Sequence, residues 1–468
     1  MYRDEVPLYG DLVNIVREVD QSLVSAGNSQ SLPTRHELER HGAIRLGTEL
    51  ELRTIRRLFA IFGMYPVGYY DLGVVDLPLH ATAFRPVTEE SLNKNPFRVF
   101  TTLLIKQRLS PNIAALADSI IAQRNLFTPR LLEIIDSIES DPERAPTVQE
   151  VDELVQNALQ IFKWHSKTTV SIEQYRALKE EHPIVADIAC FPSAHINHLT
   201  PRTLDINLVQ EEMIKRGMPA KDRIEGPPVR QCPILLRQTS FKALEERVVF
   251  TTGDGSFTDG THTARFGEVE QRGAAVTPKG RQLYDQLLNL TIQSMDAATS
   301  GNNDTQHRGF DVVLAENFSR GYPDSWSELL TQGLVYFRFE PSASSSSAEA
   351  RRKLQSNSKI NLFELLSLGL VESEPITYED FLPFSAAGIF KSNISESSDE
   401  TTESESVSSV HEHGAIPESK AGWSDKREDL ENALGCNILD EFELYASLQQ
   451  ESIKKCEMEL DLEEIIMP

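Results

Sequence analysis

Residues 40–63 read RHGAIRLGTELELRTIRRLFAIFG, a junction between a strand and a helix. Thr48 followed by Glu51 is a capping-box start and Gly63 a helix stop, so a helix is predicted between them. The HGAIRLG ahead of it then reads as a short strand, on which His41, Ala43 and Arg45 share one face. Four residues separate His41 from Arg45, a spacing that keeps both side chains on one side of a strand or a helix. A guanidinium beside a metal-binding imidazole is suited to hold a substrate carboxylate while the metal works on the other end.

Before this junction, GDLVNIVREVDQSLV (10–24) carries Leu12, Val13, Ile15, Val16, Val19 and Leu23 at helical spacing. After it, residues 65–90 read as strands with turns and residues 98–175 as mostly helix, for instance PRLLEIIDSIES and VDELVQNALQIFKW. A second strand region is predicted from about Val185 to Thr200, leading into a helix that ends near Gly217. The stretch VVFTTGDGSFTDGTHTARFGEVEQRG (248–273) reads as a hairpin, its GDGS only a turn, with a helix from about Pro278. The expected division is a catalytic metal-binding core over 1–340 with a helical insertion at about 98–180, then a Ser-rich insertion at 341–358. A return segment at 359–391 completes the substrate pocket, a disordered acidic insertion spans 392–422, and C-terminal helices at 423–468 pack on the core. SNISESSDETTESESVSSVHEHG (392–414) has six acidic residues and almost no apolar ones, too few to offset the entropy of ordering. No internal repeat is visible by eye, although tandem βαβββ modules diverge far enough to hide one.

The 468 residues suffice for a sizeable core without a disulfide scaffold. A formal charge of −25 and the lack of a Lys/Arg run exclude a nucleic-acid partner. Cys190, Cys232, Cys436 and Cys456 are scattered with no CxxC, which fits a reducing compartment. The start MYRDEVPLYG resembles no leader, and no apolar run approaches a membrane span, so a cytosolic protein is expected.

Two further segments hold metal-ligand candidates. In HINHLTPR, His195 and His198 are three apart and face opposite ways on a strand, so only one enters a common site; His198 stands near the strand end that Pro201 imposes. In ARFGEVEQRG, alternation puts Phe266, Glu268, Glu270 and Arg272 on one face, and periodicity does not choose between the two carboxylates. Two imidazoles and one carboxylate form the facial triad of an iron(II) oxygenase, which leaves positions for a keto acid and dioxygen. Gln231, Arg237, Gln238, Ser240, Tyr69, Tyr70 and Asp71 are candidates to support such ligands. GxGxxG before a helix, a Walker loop, GxSxG and HExxH are all absent.

The segments MYRDEVPLYGDLV, RHGAIRLGT, TAFRP, NHLTPRTLDI, EGPPVRQCPILLRQTSFKALEE, FGEVEQRG, TPKGRQLYD, EDFLPFSAAGIF and DEFELYA together resemble the 2-oxoadipate dioxygenase/decarboxylase family of the vicinal-oxygen-chelate superfamily. The resemblance implies an α+β fold with a half-closed β-barrel around the metal, flanked by helices. It implies iron(II) bound by His41, His198 and Glu268, with Arg45 clamping a substrate carboxylate and Ser385 at the substrate pocket. The family carries Val before that serine, where this chain has the bulkier Phe384. It also places a further helix ahead of MYRDEVPLYG. The implied reaction, in lysine breakdown, turns 2-oxoadipate and dioxygen into D-2-hydroxyglutarate and carbon dioxide. The competing reading is an oxygen-independent metal-dependent isomerase or lyase of the same superfamily acting on a 2-oxo acid. A binding protein without catalysis is the third.

Overall fold

The structure is a computed structural model and describes residues 1–27, 34–75, 77–252, 255–300, 309–343, 359–382 and 423–467. The Thr48 hydroxyl accepts the Glu51 N–H at 3.1 Å and starts helix Glu49–Ile61, which the chain leaves through Gly63 at φ +71°. Glu51 does not complete the capping box. Its carboxylate accepts the Gly47 N–H at 2.8 Å and the Arg124 guanidinium at 2.7 and 2.9 Å instead.

Strand β1 (Arg40–Leu46) precedes this helix, and β2 (Tyr65–Asp71), β3 (Leu79–Arg85) and β4 (Phe97–Leu104) follow it. β4 lies parallel to β1, with β3 and β2 antiparallel beyond it, which makes a βαβββ unit. The chain then repeats the pattern. β5 (His198–Pro201) and helix Ile206–Lys215 lead to β6 (Leu236–Ser240), β7 (Leu244–Thr251) and β8 (Phe257–Arg272), and β8 runs parallel to β5. β6 and β7 share the edge of β8, and single bridges Ala220–Phe241 and Glu225–Gln238 mark a vestigial outer strand. β1 and β5 pair antiparallel, so the two units form one eight-stranded sheet ordered β2-β3-β4-β1-β5-β8-β6, with β7 on β8. Among the described residues its two ends do not pair, and it is a curled half-barrel rather than a closed one.

Alternation sorts the side chains. On β1, His41, Ala43 and Arg45 point into the concave side, while Ile44 and Leu46 pack outward on Leu52, Ile55 and Leu58 of helix Glu49–Ile61. Helices Pro129–Ser140 and Val148–Phe162 add Leu131, Ile134, Leu154 and Ile161 to that outer layer. Each such fully buried side chain is worth about 1.5–3 kcal/mol. In the second unit helix Pro7–Ser25 lies against β8, and Gly267 permits the approach. A Cβ there would stand 2.4 Å from Phe241 and 3.2 Å from Leu12. The Tyr2 hydroxyl, 2.6 Å from the Phe266 carbonyl and 3.0 Å from that of Asn197, ties the first residues to β8 and to the approach to β5.

Several sequence expectations change. Residues 97–104, placed mainly within a helical insertion from about 98, form β4; FRVFTTLL is rich in aromatic and β-branched residues, and tertiary pairing with β1 holds it extended. The predicted strand from Val185 is instead helix Pro183–Ala189, with Pro183 in the first turn and His182 Nδ1 accepting the Ile184 N–H at 3.1 Å. Short apolar runs do not separate helix from strand by period alone. The C-terminal stretch is two helices, Trp423–Leu434 and Glu441–Leu460, broken at Gly435, whose φ is +71°. The return segment contributes β10 (Lys359–Asn361) and β11 (Val371–Pro375), and β11 pairs with β9 (Phe337–Pro341). Its chain then crosses toward the concave side, where Phe381 meets His41. Nearly all of the Ser-rich insertion and all of the acidic one, with Phe384 and Ser385, lie outside the described residues. No helix among the described residues is long and apolar enough to cross a membrane.

Candidate metal centre

β1, β5 and β8 are successive strands, and their register brings His41, His198 and Glu268 together. Ala43 stands beside His198 and His41 beside Thr200, while His198 pairs with Phe266 in β8, two residues before Glu268. One ligand atom from each of His41, His198 and Glu268 lies within 4.8 Å of the others, and all three residues are buried. His41 Nε2 is 2.8 Å from Glu268 Oε1. Two atoms about 2.1 Å from one ion and at right angles to each other stand about 3 Å apart, so this spacing fits neighbouring ligands of a divalent transition metal. Nitrogen and carboxylate oxygen are also the donor types such ions take. The imidazole planes of His41 and His198 are perpendicular, with centroids 5.5 Å apart, and His198 stacks on Phe266 at 4.8 Å.

The surroundings fix each ligand. Glu270, on the same face of β8 as Glu268, meets the other nitrogen of His41, with Oε2 2.7 Å from Nδ1. A proton on Nδ1 then leaves the Nε2 lone pair directed at Glu268 and the metal position. Glu270 is itself held by Arg272, whose Nε and Nη2 donate at 2.8 and 2.9 Å. Gln238 Nε2 and the Thr200 hydroxyl both donate to Glu268 Oε1, at 2.6 and 3.1 Å. Phe381 sets its ring edge-on to His41 at 5.0 Å and closes that side against water.

Electrostatics follow from burial and these neighbours. Burial pulls His41 down, but Glu270 and Glu268 outweigh it and raise its pKa above the ordinary imidazole value. Burial pushes His198 down to about 4, so it is neutral at pH 7. Glu268 and Glu270 both end below the usual carboxylate range despite burial. His198 and His41 lower the first; Arg272 and His41 lower the second. A metal at this position would compete with a proton for His41 Nε2.

Arg45, two pleats along β1 from His41, is buried, and one arm of its guanidinium donates to Asp187. Asp187 is a hub: His195 Nε2 and His262 Nε2 lie 3.2 and 2.9 Å from its Oδ1, and Asn197 donates to Oδ2 at 3.1 Å. His195 thus stands behind Arg45, apart from the two imidazoles of the candidate metal set. A second buried network runs from Glu270 through Arg272 and Arg98 to Glu39 and Glu379, with Arg35 and Arg202 on its flank. It anchors the return segment beside the site. Of the candidate supporting residues, Gln238 touches the site, while Asp71 pairs with Lys426 and Tyr70 packs on Phe381. Asp187 escaped sequence reading, although a lone acid inside the apolar run PIVADIACF is a signal of a buried partner. Arg98 and Thr200 gave no local signal; only strand register brings them in.

A family model described as 2-oxoadipate dioxygenase/decarboxylase matches residues 1–393. The 2-oxoadipate dioxygenase/decarboxylase of Pseudomonas putida is 44% identical over 470 residues, covering 99% of this chain and 95% of that protein. The protein of that name from Escherichia coli is 46% identical over 465 residues, covering 97% of this chain and 95% of that one. The crystal structure of hydroxyglutarate synthase from Pseudomonas putida, in complex with 2-oxoadipate, superposes with a TM-score of 0.81 at 42% identity, covering 99% of this chain and 96% of that chain.

Proposed function

This chain belongs to the 2-oxoadipate dioxygenase/decarboxylase family, and from that premise we propose that it converts 2-oxoadipate and dioxygen into D-2-hydroxyglutarate and carbon dioxide at iron(II) held by His41, His198 and Glu268. The carrying observation is the buried set of two imidazoles and one carboxylate on adjacent strands of a chain so similar to enzymes of that name. Six carbons enter and leave as five plus one, and carbon dioxide carries the oxygens of the old carboxylate. Both atoms of dioxygen end in the five-carbon product, one in the carboxylate made from the keto carbon and one in the new hydroxyl. Iron(II), when bound, supplies the positions at which a 2-oxo acid chelates and dioxygen reacts.

The protein's part is binding, orientation and exclusion of water. Glu270 holds the His41 ring by Nδ1, and Gln238 and Thr200 hold the Glu268 carboxylate. Phe381 and Phe266 shield the two imidazoles. Arg45 binds the far carboxylate of the substrate, and Asp187 sets the direction of its guanidinium. His41 and Arg45 stand about 13 Å apart along the strand, a span suited to a six-carbon diacid gripped at both ends. Ser385 and Phe384 are assigned to the pocket on family resemblance alone.

Oxygen uptake by anaerobically purified protein loaded with iron(II), on addition of 2-oxoadipate, tests this reading. Uptake matched by 2-hydroxyglutarate and carbon dioxide is expected. Iron-loaded protein that consumes no oxygen yet transforms 2-oxoadipate would overturn it in favour of an isomerase or lyase.

A further inference from the structure

The concave face beyond the metal-ligand candidates holds a buried hydroxyl with no partner among the described residues. Thr102, on β4, is fully buried, and its Oγ1 makes no hydrogen bond to them. A buried donor left unpaired costs stability unless something else takes it. Its position says what. In the parallel ladder between β1 and β4, Thr102 is the register partner of Arg45, and Ala81 of β3 flanks it on the other side. Neighbours across a ladder share a face, and contacts confirm which one. Two residues back, Phe100 packs on Phe381, which in turn packs on His41. Ala43 and Ala81, which flank this pair on the same face, are small and buried.

The second unit supplies an internal comparison. Swapping the two units maps the β1–β5 ladder onto itself, because His41 faces Thr200 as His198 faces Ala43. Under that swap Arg45 corresponds to Arg202 and Thr102 to Glu270. Arg202 and Glu270 are indeed bridge partners in a parallel pairing, as Arg45 and Thr102 are. Where one unit sets a carboxylate side chain beside its arginine, the other sets a bare hydroxyl. Asp187 takes one arm of the Arg45 guanidinium, and the Thr102 hydroxyl beside it is a further donor suited to an anionic oxygen.

We propose that Thr102 is a substrate-binding residue whose hydroxyl donates to the far carboxylate of the 2-oxo diacid beside Arg45, and so helps select diacids over monoacids. The inference rests on the carboxylate-clamp reading of Arg45. Anaerobic titration calorimetry of the iron(II)-loaded protein compares 2-oxoadipate with 2-oxohexanoate, a 2-oxo acid of equal length without the far carboxylate. Thr102→Val keeps the side-chain shape. It is expected to weaken 2-oxoadipate about tenfold, as loss of a hydrogen bond to a charged group does, and to change 2-oxohexanoate less than twofold. Thr102→Ser, which restores the hydroxyl, is expected to recover most of the loss. Unchanged preference in Thr102→Val, with Arg45→Lys abolishing the preference, would overturn the role of Thr102 and leave the clamp standing. Unchanged preference in both variants would remove the clamp itself. Equal weakening of both ligands in Thr102→Val would show a packing defect and equally overturn the assignment.

Discussion

Replacing Glu270 by Gln separates the carboxylate proposed to support the metal site from the one proposed to bind the metal. Glu270 is fully buried, accepts two hydrogen bonds from Arg272 at 2.8 and 2.9 Å, sits 2.7 Å from His41 Nδ1 and lies 4.0 Å from Arg98. Gln keeps the volume but removes the charge, leaving Arg272 and Arg98 short of a counterion in the interior. Breaking a buried pair in this way costs about 3–5 kcal/mol. Loss of the anchor on His41 lowers metal affinity by about 10–100-fold, the usual effect of losing such a supporting carboxylate. Glu270→Gln is therefore expected to bind iron(II) weakly but measurably and to unfold at lower urea. Glu268→Gln, which removes a ligand and leaves the arginine network alone, is expected to lose iron with a smaller stability change. Iron per chain after gel filtration, affinity against a competing chelator and urea midpoints give the three readings. Adding Arg272→Met to Glu270→Gln is expected to restore stability but not iron affinity. A Glu268→Gln protein that retains full iron while Glu270→Gln retains none would exchange the two roles and refute the reasoning.

Arg45→Ala is expected to raise KM for 2-oxoadipate and to lower the yield of 2-hydroxyglutarate per oxygen consumed, with iron content unchanged; wild-type KM and coupling would remove the clamp. Asp187→Asn frees the guanidinium from its anchor, so a rise in KM smaller than that of Arg45→Ala is expected, read by the same assay. Arg85 and Asp380 form a buried pair at 2.6 and 2.9 Å, so Arg85→Leu strands a buried carboxylate and is expected to cost about 3–5 kcal/mol, measured by urea unfolding. Burial, with Asp380 adding to it, holds the Glu441 carboxyl up at about 7. The folded state then binds this proton more tightly than the unfolded chain, so stability is full at low pH and is lost as pH rises through about 7. Glu441→Gln is expected to raise the unfolding midpoint at about pH 8 and to leave it unchanged at about pH 4, an effect on the order of 1–2 kcal/mol for a half-buried group.

Local chemistry was legible in the sequence and long-range register was not. The Thr48 cap, the Gly63 stop, the hairpin into β8 and the common face of Glu268 and Glu270 all follow from spacing within about twenty residues. The open choice between the two carboxylates has a physical basis. Both do reach His41, one at each ring nitrogen, so no period of two distinguishes them. His195 and His198 do diverge as a strand requires, although only His198 is in the strand. Strand β4 was missed because its pairing energy comes from β1, far back in the chain. The Asp187 hub gathers Arg45, His195, Asn197 and His262 from three segments, an arrangement that no window of sequence contains.

The repeat hidden in the sequence explains why the candidate site offers three ligands and not four. Each unit offers an imidazole from its first strand, His41 on β1 and His198 on β5. Each also offers a last strand running parallel to the first, and there the units part. The residue two beyond the register partner of the imidazole is Glu268 on β8 but Phe100 on β4. A carboxylate at position 100 would complete a symmetric set of four and occupy a position that the chelating substrate and dioxygen need. Phe100 instead packs on Phe381 and helps wall the site. One unit thus gives an imidazole and a carboxylate, and the other gives an imidazole, an apolar wall and the Arg45–Thr102 pair. The asymmetry between two copies of one module divides the curled sheet into the proposed metal end and the proposed substrate-carboxylate end.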